Sequence, residues 1–338
     1  MTDKKIAIPE FDPQTAVYSP TESANFALET IEKIRTNSTR GVRLGIPQLD
    51  NYFAAMLPGQ LCAIIAQTSN YKSGFMHFWE RMIAAQLVAE GRLDEAIIHV
   101  SVEEPVEEQM YHLLASDIGT DAGRLARGDV QDWSKLQAAA VRVGQIPIWR
   151  IGDAICRPDD AQELYLSNMA RSILELCSGN VTGIPVKPAA IFFDYLQAFP
   201  YDPEHRKLGE EKRRLQVRED LYRLRVAAAK FNCPVIVAVQ AKQHLEGATG
   251  DLRMPGIYDG EESSSIAQRA DRVICLWMPA RTHPVGSWIN QNGVNFTVQE
   301  NMLMIKIAKQ RGGLPAGQTF ECRIDFARNN ISTLTKKA

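Results

Sequence analysis

None of the six cysteines stands in a C-x-x-C pair, the spacing on which common zinc and dithiol sites depend. Four of them lie in apolar, strand-like runs, so they read as reduced core residues of a cytosolic protein, not as a metal or disulfide framework. No apolar run approaches the roughly 18 uninterrupted residues of a membrane helix. The start, M-T-D-K-K-I-A-I-P-E-F, lacks the apolar core of a signal peptide. Export and membrane insertion are therefore not expected. Charge of one sign is lacking too, the net charge being −2. With a pI near 6.3 the chain has no global attraction for nucleic acid, and such binding would need a local basic surface, as in the channel of a ring. The sequence shows no internal repeat and no low-complexity segment.

What is present is an ordinary globular mixture, 45% apolar and 23% charged over 338 residues, enough for one large domain or two small ones. Residues 1 to about 18 are punctuated by Pro and read as an arm. Ser19-Pro20-Thr21-Glu22 is a capping box with Pro at the first helical position. Ala24, Ala27, Leu28, Ile31 and Ile34 then make a narrow apolar stripe over a helix from Thr21 to Arg35, which Asn37 to Gly41 breaks. Residues 1–40 are thus expected to form an arm and linker helix, and 41–338 the main domain. Such a helix needs a surface, either on its own domain or on a neighbouring subunit.

Beyond Gly45, apolar runs alternate with helical patterns. The expected strands are Leu61 to Ala66, Ala96 to Val102, Pro147 to Ile151, Ala189 to Asp194, Pro234 to Gln240, Arg272 to Trp277, Met302 to Ala308 and Thr319 to Asp325. Expected helices include Lys72 to Glu90, Val106 to Ser116, Asp160 to Cys177 and Glu210 to Phe231. The last carries Val217, Leu221, Leu224, Ala228 and Phe231 on one face. This alternation predicts an α/β fold with a mostly parallel sheet covered on both faces, binding its ligand at the carboxyl ends of the strands.

Three strand ends carry chemistry. Leu61 to Gly74 runs from an apolar strand into a turn ending in Lys72-Ser73, as in a phosphate-binding loop. There the lysine meets the β and γ phosphates and the hydroxyl meets Mg²⁺. Ala66 and Tyr71 stand where the motif G-x-x-x-x-G-K-[ST] has Gly, and a large side chain at Tyr71 should crowd the turn. Asp194 ends a second strand, in the place of a Walker B carboxylate. Glu103 and Glu104 end a third, where a carboxylate can activate water; Glu104, Glu107 and Glu108 also suit an acidic helix start. Lys309-Gln310-Arg311-Gly312-Gly313 reads, by itself, as a solvated hairpin turn before any other role.

Ser101 to Ser116, S-V-E-E-P-V-E-E-Q-M-Y-H-L-L-A-S, resembles without a gap the segment S-L-E-M-P-S-E-Q-I-M-M-R-S-L-A-S of DnaB-type replicative helicases. Four further blocks agree in order and spacing over roughly residues 40 to 332. These are A-x-x-S-x-x-K-[ST] from Ala66 through Ser69 to Ser73, D-Y-L-Q at Asp194 to Gln197, a block running from Glu262 to Asp271, and K-Q-R-x-G at Lys309 to Gly313. The resemblance implies a RecA-like P-loop ATPase, and in that family Ala is common at the first loop position. It implies that Ala66, Ser69, Tyr71, Lys72 and Ser73 line the ATP phosphates, Ser73 and Asp194 hold Mg²⁺, and Glu103 is the catalytic carboxylate. It further implies that Gln240 senses the γ-phosphate and that Lys309 and Arg311 reach into a neighbour's site as a trans finger pair. Arg206, Lys207, Lys242, Glu262 and Ser264 are the candidate DNA contacts.

The chain departs from the family at three places. Tyr71 replaces a Gly, which leaves three outcomes: a tolerated aromatic with weaker binding, one that stacks on or shields the nucleotide, or a dead site. Glu261 replaces an Arg that approaches DNA in the family; positive charge can come instead from His205, Arg206, Lys207, Lys212, Arg213 and Arg214, although such a run is more often a solvated loop and helix start. Only about 40 residues precede the ATPase part, and the family's N-terminal collar domain has no counterpart in them. The expectation is a ring-forming, hexameric, ATP-dependent helicase or translocase on single-stranded DNA. It would serve a plasmid, phage or other mobile element, with a loader or initiator as a partner and the linker helix docked on the adjacent subunit. The competing expectation is a nucleotide-binding scaffold that does not translocate.

Overall fold

The computed structural model describes residues 17–36, 41–157, 159, 164–200, 211–242, 253–260, 265–291, 294–312 and 315–334. The chain divides into two compact units, Met1–Arg40 and Gly41–Ala338. In the first, α1 (Pro20–Arg35) starts on the expected box: Ser19 Oγ accepts from the Glu22 N–H while the Glu22 carboxylate accepts from the Ser19 N–H. Its apolar side chains Phe26, Leu28, Ile31 and Ile34 are all exposed.

The second unit is built in chain order from α2 (Pro47–Asp50), β1 (Leu61–Ala66), α3 (Lys72–Ala89), β2 (Glu95–Ser101), α4 (Val106–Ile118), α5 (Ala122–Ala126), α6 (Trp133–Val143), β3 (Ile148–Ile151), α7 (Leu166–Cys177), β4 (Lys187–Asp194), α8 (Glu211–Lys230), β5 (Val235–Gln240), α9 (Ser265–Arg269), β6 (Arg272–Trp277), β7 (Trp288–Gln291), β8 (Val294–Thr297), β9 (Met302–Gln310), β10 (Thr319–Asp325) and β11 (Asn330–Thr333). Nine strands form one sheet in the order β11-β10-β9-β6-β1-β5-β4-β2-β3. The six from β6 to β3 run parallel, and β9, β10 and β11 extend the β6 edge antiparallel.

Each residue of β1 is buried, as a central strand covered on both faces requires. Its alternate residues feed two cores. Leu61, Ala63 and Ile65 pack with Met169, Ile173, Val217, Leu221 and Leu224 of α7 and α8. Cys62, Ile64 and Ala66 pack with Phe75, Phe78, Trp79 and Ile83 of α3. The stripe expected on α8 is buried at Val217, Leu221, Leu224 and Ala228. Four cysteines are buried in these cores, whereas Cys177 is half-buried and Cys156 lies exposed, outside the core expected for it. No helix among the described residues is long and apolar enough to cross a membrane.

Several elements differ from the sequence reading. Strand β9 continues to Gln310, so Lys309 and Gln310 belong to a paired strand and not to a turn. Helix α7 is described from Leu166, and Asp160 and Glu210 fall outside the described residues. Helices α5 and α6, the β7–β8 hairpin and β11 were not expected. The signal for α6 was weak because it buries only Ala139 and Val143, although Asp132 caps it by accepting from the Lys135 N–H.

Candidate nucleotide site

The sheet order places the carboxyl ends of β1, β5, β4 and β2 side by side. Register carries this to the residue: Ala66 stands opposite Gln240, and Ser101 opposite Asp194. The residues that follow these ends are therefore drawn together. Lys72 Nζ lies 3.4 Å from Gln240 Oε1 and 3.7 Å from the centre of the Tyr195 ring. Burial pushes the lysine's pKa down, while the negative charges of Asp194, Glu103 and Glu104 act in the opposite direction. Partial desolvation pushes the Glu103 carboxyl up, against the pull of Lys72. Asp194 is buried, and its Oδ1 has no hydrogen-bond partner among the described residues. An ionised buried carboxylate oxygen without a partner is costly, and a hydrated divalent cation satisfies it.

The loop between β1 and α3 is wound by two left-handed residues that are not Gly, Ser69 with φ 62° and Tyr71 with φ 64°. Asn70 braces it from beneath, its Nδ2 donating to the Thr68 carbonyl and its Oδ1 accepting from the Met278 N–H at 2.7 Å. Ala66 is fully buried, and its carbonyl accepts from the Ala241 N–H, so it terminates the strand. Ser73 is half-buried in the first turn of α3.

Tyr71 takes a left-handed backbone but sends its ring to the β10–β11 turn. The ring stands edge-on to Phe326 at 5.5 Å, and its hydroxyl donates to Asn329 Oδ1. The neighbouring Gly74 makes room: a Cβ there would lie 2.4 Å from Tyr71 Cε2. Burial pushes the phenol's pKa up, so the hydroxyl keeps its proton.

Three residues of the site were not singled out in the sequence. Gln197 clips the end of β5, its Oε1 accepting from the Gln240 N–H at 3.0 Å and its Nε2 donating to the Gln240 carbonyl at 3.3 Å. Thr68 Oγ1 accepts from Gln240 Nε2 at 2.9 Å. Tyr195 presents its ring face to Lys72. Gln197 and Tyr195 belong to the D-Y-L-Q block, which was the available signal.

Lys309 and Arg311 are not brought to this cluster. Because β9 runs antiparallel to β6, Lys309 stands opposite Val273 and Gln310 opposite Arg272, at the amino end of the parallel strands. Lys309 Nζ donates to the carbonyls of Ala267 and Ala270, and Arg311 lies 3.3 Å from Asp271 Oδ1. Lys242 is exposed just beyond β5, its carbonyl accepting from Gln67 Nε2. Arg206, Lys207, Glu261, Glu262 and Ser264 lie outside the described residues, as do Gly313 and the side chains of Lys212, Arg213 and Arg214.

Residues 41–331 match the family profile of the DnaB-like helicase C-terminal domain. A probable replicative DNA helicase of Trieres chinensis is 26% identical over 288 residues, covering 84% of this chain and 55% of the relative. The replicative DNA helicase DnaB of Haemophilus influenzae is 26% identical over 320 residues, covering 90% and 59%. The chain thus spans little more than half the length of these relatives. A solved DnaB-like replicative helicase, described with its interactions with primase, superposes with a TM-score of 0.68 at 19% identity over 91% of this chain and 66% of that one. A second solved structure, described as an ATPase domain, superposes with a TM-score of 0.67 at 18% identity, over 92% and 98%. At these identities the likeness carries the fold, which is RecA-like.

Proposed function

Because the chain belongs to the family of DnaB-like helicase C-terminal domains, we propose that it is an ATP-driven motor that assembles as a ring and translocates on single-stranded DNA. The observation that carries this reading is the convergence of Lys72, Gln240, Asp194 and Glu103 at four adjacent strand ends, with Asp194 Oδ1 unpartnered. Lys72 binds the β and γ phosphates of ATP, and Glu103 orients and deprotonates the attacking water. Ser73 and Asp194 hold Mg²⁺, which supplies neutralisation of the phosphate charge when bound. Gln240, held by Gln197 and Thr68, reports the γ-phosphate to the segment that follows β5.

Lys309 and Arg311 act on a neighbour's ATP. This is supported by their place at the far end of their own sheet, from which they cannot serve their own Lys72. Helix α1, with its apolar stripe exposed, docks on the adjacent subunit and closes a hexameric ring. Lys242 and the basic residues around Arg206 and Lys207, with Glu262 and Ser264, face the DNA strand. The setting is replication of a plasmid, phage or other mobile element, with a loader or initiator that places the ring. The contacts of Tyr71 with Phe326 and Asn329 favour a tolerated aromatic over a shielded or dead site.

The test is ATP hydrolysis by the purified chain at saturating Mg-ATP, with and without an oligonucleotide. Turnover stimulated by single strands and abolished by Lys72→Ala is expected. Turnover no higher than that of the variant, with nucleotide-dependent assembly but no oligonucleotide binding, would leave the scaffold reading in its place.

A further inference from the structure

Behind the site lies a buried ionic cluster that the family segment does not contain. Where the family segment reads Met, Ile and Arg, this chain has Glu104, Gln109 and His112. All three converge on His77 of α3 or on its partner. His77 is fully buried, and its Nε2 lies 3.2 Å from Glu104 Oε2. Its ring stacks between His99 of β2 and His112 of α4, with centroids 5.4 and 5.1 Å away. Glu80, one turn along α3, meets His99 Nδ1 and lies 3.0 Å from Arg150 NH1 of β3.

Glu104 is held at three points. Its N–H donates to Ser101 Oγ at 3.0 Å, its carbonyl accepts from Gln109 Nε2 at 2.8 Å, and its carboxylate meets His77. The preceding residue, Glu103, shares the Ser101 hydroxyl through its own N–H at 3.3 Å and is exposed toward Lys72 and Asp194. Two adjacent carboxylates thus take different partners, one held inward and one left to the nucleotide cleft.

Three imidazoles and two carboxylates are also a donor set for a transition metal, in the groups His77, Glu80, His99 and His77, Glu104, His112. Charge balance favours a proton instead. With His77 protonated, the cluster's two carboxylates are matched by its two cations, His77 and Arg150, and the buried group is neutral. A dication in place of that proton would leave excess positive charge beside the Arg150 guanidinium, which burial penalises.

We propose that His77 is a positioning residue: by holding Glu104 from behind, it fixes the direction in which the adjoining Glu103 projects at ATP. This rests on the reading of Glu103 as the carboxylate that acts on water. Burial by itself pushes His77 down, but the hydrogen bond to Glu104 and the Glu80 carboxylate 3.8 Å from its Nδ1 outweigh it and hold the imidazolium up to about 9. The groups facing it are Glu80 on its own helix, His99 on β2, Glu104 in the loop after β2, His112 on α4 and Arg150 on β3.

The experiment compares ATP turnover by the full chain and by its His77→Leu and His77→Gln variants between pH 6 and 10. A misplaced catalytic group costs up to about 100-fold in rate. His77→Leu should lose about tenfold or more in kcat with KM changed less than about threefold. His77→Gln, which keeps a donor for Glu104 but loses the charge, should recover only part of kcat, to the level the wild type falls to above pH 9, and should show no further fall there. Wild-type kcat in His77→Leu, or the same alkaline fall in His77→Gln as in wild type, would overturn the proposal. So would stoichiometric zinc in the purified protein. If His77→Leu does not fold, the comparison of wild type with His77→Gln decides alone. If wild type itself turns over no ATP, the proposed function has failed, and the His77 imidazole titration by NMR still tests the pairing. Glu104→Gln should lower that titration by about one unit or more, and no change would refute it.

Discussion

Tyr71 and Asn329, far apart in sequence, are joined by a hydrogen bond from the phenol hydroxyl to the amide oxygen. The bond fastens the start of α3 to the turn between β10 and β11. Arg81, two to three turns along α3, reaches the same turn through the Asn329 carbonyl and meets Ser116 Oγ of α4 at 2.6 Å. Ser116 in turn donates to the Arg328 carbonyl at 2.7 Å. The loop at Lys72 therefore rests on the antiparallel edge of the sheet, and an aromatic at a Gly position becomes a strut. Holding a left-handed backbone costs a non-Gly residue on the order of 1–2 kcal/mol, which these contacts offset.

Tyr71→Phe is expected to keep the ring contacts and lose the hydroxyl bond. It should lower stability by about 1 kcal/mol while leaving KM for ATP within about threefold. Denaturant melts and steady-state kinetics on one preparation check this. A large rise in KM with unchanged stability would place the hydroxyl on the nucleotide.

With Glu103 as the proposed base, Glu103→Gln removes it but not the phosphate contacts. Nucleotide binding should stay close to wild type while kcat falls by roughly 10²- to 10⁴-fold. Asp194→Asn should instead weaken Mg-dependent nucleotide binding. Equilibrium titration with a fluorescent nucleotide, with and without Mg²⁺, separates the two variants.

Most of the parallel sheet was legible because its strands are near-continuous apolar runs, and the candidates could be picked out because Asp194 ends such a run, Glu103 lies two residues past one and Lys72 closes the turn that follows a third. The antiparallel edge was only partly legible. Strand β11 is four residues long and buries Ile331 among polar neighbours. Spacing could not show where Lys309 and Arg311 sit, since that depends on β9 pairing antiparallel with β6. Nor could it show His77, Glu80, His99, Glu104, His112 and Arg150 as one cluster. They come from α3, β2, the following loop, α4 and β3, and the fold alone brings them together.

Arg311 should act in trans. Arg311→Ala and Lys72→Ala are each expected to be inactive alone, but mixed rings should regain part of the activity wherever an intact Arg311 faces an intact Lys72. Mixing the two proteins under exchange conditions and measuring ATP turnover against subunit ratio tests this. A strictly flat, inactive profile would mean that Arg311 does not complete the pocket of a neighbouring Lys72.

Ile31→Asp places a charge on the exposed stripe of α1, where Ile31 is 59% accessible. The change should leave the melting of the main unit unchanged, because surface substitutions away from packed features stay within roughly 0.5 kcal/mol. It should shift the oligomer toward monomer in sedimentation velocity and reduce ATP turnover in parallel. Unaltered sedimentation would show that α1 does not hold subunits together.

Stability against pH should carry the signature of the buried cluster. His77 is held at about 9, above its ordinary 6.5, so its contribution is complete below pH 6.5 and fades as pH rises through about 9. Glu104 is held down at about 2 despite burial, so its contribution is complete above 4.5 and is lost only as pH falls toward 2. Burial depresses His99 and His112, and these favour the folded state above 6.5 and oppose it progressively below. The opposing slopes place the cluster's maximum near pH 6.5, with an alkaline loss owed to His77. Chemical denaturation from pH 5 to 10 should show that loss in the wild type and not in His77→Gln; equal alkaline slopes in the two proteins would mean that the imidazolium contributes nothing to the fold.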